Sequence, residues 1–150
     1  MKKSQIAKIV SIIFIVLIIG GIGCLIPLPQ IYDFIVGEGL ESFSEHTIYY
    51  KVALYICYLI GLFILYKLYD TFNYLYKVNP FTIKIEKNLK VIAVFFMILS
   101  VIVLGKGLFI PTPLTFGVTV ICFVVGLCFY VLAEVIKKGI ILKDEVDLTV

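Results

Sequence analysis

The chain has 150 residues, of which 62% are hydrophobic and only 15% are charged. A soluble domain typically has about 45–50% apolar residues, so a chain this short cannot bury so much apolar surface in its own core. A membrane-spanning helix takes about 20 apolar residues, and the length therefore accommodates about four spans with short connections. The net charge of +3, carried by thirteen lysines and no arginine, is not typical of a nucleic-acid-binding surface.

Four apolar stretches predict an all-α integral membrane protein, a four-transmembrane-helix bundle that forms a single membrane domain over residues 1–150. Lys8 and the break at Pro27 bound the first stretch, while Pro111 and Pro113 separate the last two, because the residue before a proline leaves the helical conformation. The predicted spans are residues 6–27, 49–69, 91–110 and 114–136. The predicted connections are an outer loop at 28–48, a cytoplasmic hairpin at 70–90 and a cytoplasmic tail at 137–150.

The positions of the lysines predict the orientation of the spans. With an even number of spans, the N-terminus, the 67–90 connection and the tail lie on one side of the membrane, and eleven of the thirteen lysines lie there. Only Lys51 and Lys106 lie on the other side. An excess of lysine marks the cytoplasmic side. The sequence therefore predicts a multi-pass protein of the plasma membrane with both termini in the cytoplasm.

The N-terminus leaves one alternative open, because Met1-Lys2-Lys3 followed by an apolar run is also the pattern of a secretory or lipoprotein signal. The run ends at Gly21-Ile22-Gly23-Cys24. A bacterial lipobox usually has leucine three residues before its cysteine, and this chain has glycine there. We therefore expect the segment to stay in place as the first span.

Small residues recur at near-heptad spacing in each span and predict where the helices pack, because contact faces in lipid favour close backbone approach. The residues predicted to pack include Gly21 in the first span, Cys57 and Gly61 in the second, Ser100 in the third and Gly126 in the fourth. The chain has four cysteines, all within predicted spans and without a Cys-x-x-Cys pair. They are interpreted as small apolar side chains rather than as metal ligands or disulfides.

The hairpin and the tail carry signals for helix ends. The second helix is predicted to continue past the bilayer to Lys77, and the third to begin with Asn79 as N-cap and Pro80 in the first helical position. An apolar stripe follows at Phe81, Ile85, Leu89 and Ile92. Gly139 is predicted to end the fourth helix. The acidic and apolar tail after it either pairs with the hairpin lysines or binds a partner.

Two titratable residues have competing interpretations. Glu134 is the one acid inside a predicted span, and such acids are functional candidates. Its shallow depth favours a structural pairing with Lys67 or a capping role instead. His46, the only histidine, lies in the outer loop beside Glu45; it is interpreted as a solvated side chain, with pH sensing as the alternative.

Two segments resemble a known bacterial membrane family, domain-of-unknown-function 2975, and the resemblance covers nearly the full chain. The matching residues are Asn79-Pro80-Phe81, Leu132-Ala133-Glu134-Val135-Ile136, Gly139, Leu142 and the terminus from Asp144 to Val150. Family members usually have Phe in place of Ile136 and often Arg in place of Lys137 and Lys138. The resemblance implies a small four-helix membrane protein with no attached enzymatic activity, whose typical gene neighbour is a helix-turn-helix regulator. It points to a partner-binding or structural motif made of Asn79, Pro80, Phe81, Glu134, Gly139, Asp144, Asp147 and Leu148.

The residues offer no set for catalysis, for a metal or for a cofactor: there is no Ser-His-Asp set and no glycine-rich phosphate loop. We expect a non-enzymatic regulatory or binding module, embedded in the lipid bilayer, that engages a cytoplasmic partner such as a helix-turn-helix regulator and does not itself touch nucleic acid. A homo-oligomer is compatible with this function. The alternatives are a subunit of a small transporter or channel, which the apolar mid-span positions disfavour, and an immunity or assembly factor for another membrane protein.

Overall fold

A computed structural model describes residues 2–30, 47–77, 81–109 and 113–149 of the chain. It contains four long helices: α1 Lys2–Cys24, α2 Thr47–Lys77, α3 Ile83–Phe109 and α4 Pro113–Leu148. The predicted all-α fold is thereby confirmed for these ranges. Most of the predicted outer loop, with His46, lies outside the described residues, and so do Asn79 and Pro80.

The helices α2, α3 and α4 are each long and apolar enough to cross a membrane. Their 31, 27 and 36 residues exceed the roughly 20 residues that a hydrocarbon core of about 30 Å needs. Helix α1 contains a shorter apolar helical stretch, Lys8–Cys24. Three such helices indicate a membrane protein, whereas the fourth span and the orientation of the termini stay predictions.

The beginning of α3 differs from its prediction. Helix α2 continues to Lys77 as expected, but Phe81 and Thr82 are not helical and α3 begins at Ile83. The Thr82 carbonyl oxygen accepts hydrogen bonds from the backbone N–H of Ile85, at 3.0 Å, and of Glu86, at 3.2 Å. Thr82 therefore takes the N-cap position that the sequence assigns to Asn79. Threonine is suited to this position, as asparagine is.

The predicted end of α4 at Gly139 is wrong. Helix α4 runs without a break from Pro113 to Leu148, and none of the described glycines has the positive φ of a helix-ending glycine. Gly139 instead faces the ring of Phe81, which occupies the space that a Cβ would need. The glycine makes room for a contact between α4 and the segment that precedes α3, rather than for a turn.

Each helix packs against its neighbours in sequence. Helix α1 packs on α2, α2 on α3, and α3 on α4, with the last pair in the most extensive contact over the described residues. Helices α3 and α4 are antiparallel, since Phe81 meets Gly139 at one end and Gly107 meets Thr115 at the other. Closure of the four helices into the predicted bundle stays a prediction.

Two of the predicted packing positions lie in the α3–α4 contact. A Cβ added at Gly126 would lie 3.2 Å from the Ala93 carbonyl oxygen and 3.2 Å from the Phe96 Cβ. The buried Ser100 hydroxyl donates a hydrogen bond to the Thr119 carbonyl oxygen at 3.1 Å. Small side chains thus let the two backbones approach, as the pattern predicts.

The α1–α2 contact is not where the small-residue pattern predicts it within α2. Nothing among the described residues lies within 4 Å of a Cβ added at Gly61, so the close approach predicted there is absent, and Cys57 is half-buried. The contact uses Gly21 of α1, whose added Cβ would lie 2.5 Å from Leu62 Cδ2. The Tyr58 hydroxyl donates a hydrogen bond to the Gly21 carbonyl oxygen at 2.7 Å.

Candidate functional site

The best-defined buried cluster lies where the end of α2, the beginning of α3 and the second half of α4 meet. We call this region the three-helix junction; its core is Ile85, Leu89 and Ala133. Ile85 and Ala133 are 1% and 0% exposed. The side chains that pack around this core are Tyr74, Leu75, Phe129 and Ile136. The predicted apolar stripe therefore faces the junction, and apolar burial of this kind holds the three helices together.

Phe81 and Gly139 close one end of the junction. The Phe81 ring packs directly on the backbone of Gly139, although it is 44% exposed elsewhere. Phe81 belongs to the hairpin segment and Gly139 to the α4 segment that carry the family resemblance. The fold thus brings the two segments into contact.

A lysine of α3 bridges two acids in the junction. Lys90 Nζ lies 2.7 Å from Glu86 Oε1, one turn away on α3, and 3.2 Å from Glu134 Oε1 on α4. The structural pairing expected for Glu134 is present, but its partner is Lys90 and not Lys67. The Lys67 ammonium instead lies 5.7 Å from the centroid of the Phe63 ring, on its own helix.

Asp70, which carries no sequence motif, forms a second polar contact in the junction. Its carboxylate accepts hydrogen bonds from Asn88 Nδ2 at 2.9 Å and from Lys84 Nζ at 3.1 Å. Lys84 also lies 4.6 Å from the centroid of the Tyr74 ring, within cation–π range. The sequence does contain a signal for this contact. Asp70 is the only acid in α2, and Asn88 lies next to Leu89 of the apolar stripe.

Beyond the junction, α4 continues, and none of the described residues covers its side chains from Ile141 onward. We call residues 140–148 the α4 extension. Every described side chain from Ile141 to Thr149 is exposed, including Leu142 at 61% and Leu148 at 86%. At 1.5 Å per residue the extension is about 13 Å long. It gives the tail a fixed helical form that the sequence does not predict.

The predicted motif residues divide between these two regions. Phe81, Glu134 and Gly139 lie in the junction, whereas Asp144 and Leu148 lie on the α4 extension. The side chain of Asp147, with Asn79 and Pro80, lies outside the described residues. Of the two roles considered for the tail, pairing with the hairpin lysines is not observed for the described carboxylates of the extension.

The chemistry of the junction is that of a structural contact. Its acids Asp70, Glu86 and Glu134 are each paired with Lys84 or Lys90. Within the described ranges, no group of three His, Cys, Asp or Glu side chains is placed to hold a metal ion. All four cysteines are free thiols. The exposed surface that the junction holds in place is the α4 extension.

The comparisons with known proteins identify a family and no characterised relative. A family model described as "Protein of unknown function (DUF2975)" matches residues 4–150. No curated protein and no solved structure matches the chain significantly.

Proposed function

This chain belongs to the DUF2975 family of proteins of unknown function, and from that premise we propose that it is a non-enzymatic regulatory module of the bacterial plasma membrane. In this proposal four helices span the bilayer, both termini are cytoplasmic, and the α4 extension engages a cytoplasmic partner. The module needs no cofactor and does not itself touch nucleic acid.

The observation that carries the proposal is the exposure of the α4 extension. An isolated helix shorter than about 12–15 residues is marginal in water, but this one continues a longer helix that the junction holds. It presents Leu142 and Val146, which lie four residues apart on one face of the helix and are each 61% exposed, while Leu148 is exposed on another face. Helix-in-groove recognition uses apolar anchors at such spacings.

The placement of charge supports a cytoplasmic position for this surface. Eleven of the thirteen lysines lie on the side of the membrane that also carries the extension. This side holds little more than the junction and the extension, which is too small a surface for a catalytic domain and sufficient for docking a helix.

The proposed partner is a helix-turn-helix regulator of the kind that the family resemblance implies as a gene neighbour. A DNA-binding protein has a basic surface. The extension contains Asp144, Glu145 and Asp147 against a single Lys143, so its charge complements such a surface. Capture of the regulator at the membrane would withhold it from DNA.

The test is co-purification of the neighbouring regulator from native membranes, using the wild-type chain and two matched double variants. L142S/L148S removes two exposed leucines from the extension. L108S/L114S makes the same change at the opposite ends of α3 and α4, where the leucines are 78% and 77% exposed. We expect L142S/L148S and deletion of residues 140–150 to abolish co-purification and L108S/L114S to retain it. Equal recovery from all variants would contradict the proposal.

A further inference from the structure

Three lysines next to the junction carry charge that no described acid neutralises. Lys87, Lys137 and Lys138 are exposed, and none of them forms an ion pair within the described ranges. The three acids in the junction are already engaged by Lys84 and Lys90. Three positive charges therefore remain on one part of the surface.

The register of α3 against α4 places these lysines at one level. The ion pair of Lys90 and Glu134, at 3.2 Å, fixes the level at which the two antiparallel helices meet. Lys87 lies about one turn from Lys90 toward the beginning of α3. Lys137 and Lys138 lie about one turn from Glu134 toward the end of α4, which is the same direction. The backbone positions of the three lysines thus share one layer across the α3–α4 contact.

This layer coincides with the edge of the predicted spans. The third span begins at residue 91 and the fourth ends at residue 136, so the lysines lie at the level of the lipid headgroups. Lysine can lay its alkyl stem along apolar surface and hold its ammonium group in the headgroup region. Clusters of lysine directly beside a spanning helix attract anionic lipids.

We propose that Lys87, Lys137 and Lys138 form a binding site for the phosphate group of an anionic phospholipid in the cytoplasmic leaflet. A lipid is favoured over an acidic protein surface, because the layer lies at the bilayer edge whereas the α4 extension reaches beyond it. The site rests on the membrane placement in the proposed function but not on the cytoplasmic partner. It can therefore hold if the regulator does not bind.

The test is native mass spectrometry of lipids retained after reconstitution into nanodiscs with equal amounts of phosphatidylglycerol and phosphatidylcholine. The variants are K87Q/K137Q/K138Q and, as a control with the same chemical change, K143Q on the α4 extension. Lys143 is also exposed, but lies more than one turn farther from the layer. Circular dichroism tests whether the triple variant remains helical. If the triple variant loses helix, the single variant K137Q is used in its place.

We expect the wild type and K143Q to retain phosphatidylglycerol in preference to phosphatidylcholine. Each lysine removed from the layer should reduce this preference by about fivefold. Retention of phosphatidylglycerol in excess inorganic phosphate would support a lipid ligand. No preference in the wild type, an unchanged preference in the triple variant, or displacement of the lipid by inorganic phosphate would overturn the proposal.

Discussion

Gly126 and Gly139 both lie in α4, and in both cases atoms of α3 or of the segment before it occupy the space that a side chain would need. The neighbours differ in how far they can move. At Gly126 the nearest atoms include the Ala93 carbonyl oxygen, which belongs to the backbone of α3. At Gly139 the neighbour is the ring of Phe81, which can rotate away. A side chain added at Gly126 would therefore have to displace backbone, whereas one added at Gly139 would have to displace only a side chain.

Replacing Gly126 by leucine should destabilise the protein, because the α3 backbone cannot move without separating the two helices. Overpacking of this kind costs about 1–3 kcal/mol. The measurement is thermal unfolding in detergent, followed by loss of the monodisperse peak. G61L is the matched control in α2, where no described atom lies within 4 Å of an added Cβ. A G61L variant as unstable as G126L would contradict the packing described for α4.

Gly139→Ala should affect stability differently with and without the Phe81 ring. Alanine favours an interior helical position by about 1 kcal/mol over glycine, but in the wild type its Cβ collides with Phe81. We therefore expect G139A to be neutral or destabilising in the wild type and stabilising in F81A. A double-mutant cycle on unfolding free energies measures this coupling. Additive effects of the two substitutions would show that the ring and the glycine do not interact.

Between elements, two polar contacts complement apolar packing in the junction. Asp70 with Asn88 ties α2 to α3, and Lys90 with Glu134 ties α3 to α4. Half-exposed ion pairs contribute little, typically under about 1 kcal/mol. A hydrogen bond to a buried amide matters more, because an unsatisfied buried group keeps its desolvation cost. The contact of Asn88, which is 7% exposed, is therefore the more important of the two.

Asp70→Ala should lower the unfolding free energy by about 1–3 kcal/mol, since it leaves the buried Asn88 amide without its acceptor. Asp70→Asn should cost less, because an amide oxygen can still accept that hydrogen bond. The exposed Lys84 supplies a further control, and K84Q should change stability least. Thermal unfolding in detergent ranks the three variants. An equal loss for D70A and K84Q would mean that the ion pair, and not the amide contact, joins the helices.

The predictability of each element depends on whether its signal is local. The continuation of α2 as far as Lys77 and the buried stripe of α3 at Ile85, Leu89 and Ile92 follow from nearby residues, and both are confirmed. The role of Gly139 depends on Phe81, which is distant in sequence, and glycine fits a helix end and a close contact equally well. The pairing of Glu134 with Lys90 rather than Lys67 likewise depends on the register between helices, which no local pattern specifies.

For the whole molecule, sequential packing leaves much of each helix facing outward. Long apolar side chains such as Ile19 and Val101 are 64% and 68% exposed, which is unfavourable in water and expected in lipid. The composition predicts this environment, because 62% of the residues are hydrophobic. It does not predict which helices touch, since the outward and inward faces are equally apolar.

The predicted topology can be tested with reporter fusions. Cytoplasmic reporters should be active at the N-terminus, at residue 79 and at the C-terminus, whereas a reporter that requires export should be active at residue 38. The reason is that most lysines lie on the side of the membrane predicted for the N-terminus, residue 79 and the C-terminus. Opposite activities at the two termini would indicate an odd number of spans and would place α1 outside the bilayer.

The unbroken course of α4 through Gly139 makes its two ends turn together. A slip of α4 by one residue against α3 corresponds to a shift of about 1.5 Å along the axis and a rotation of about 100°. Because no hinge separates the membrane-embedded half from Leu148, the whole rotation would reach the far end. A change in the packing register of α3 and α4 at Gly126 would thus turn a different set of α4 side chains toward a partner bound near Leu142.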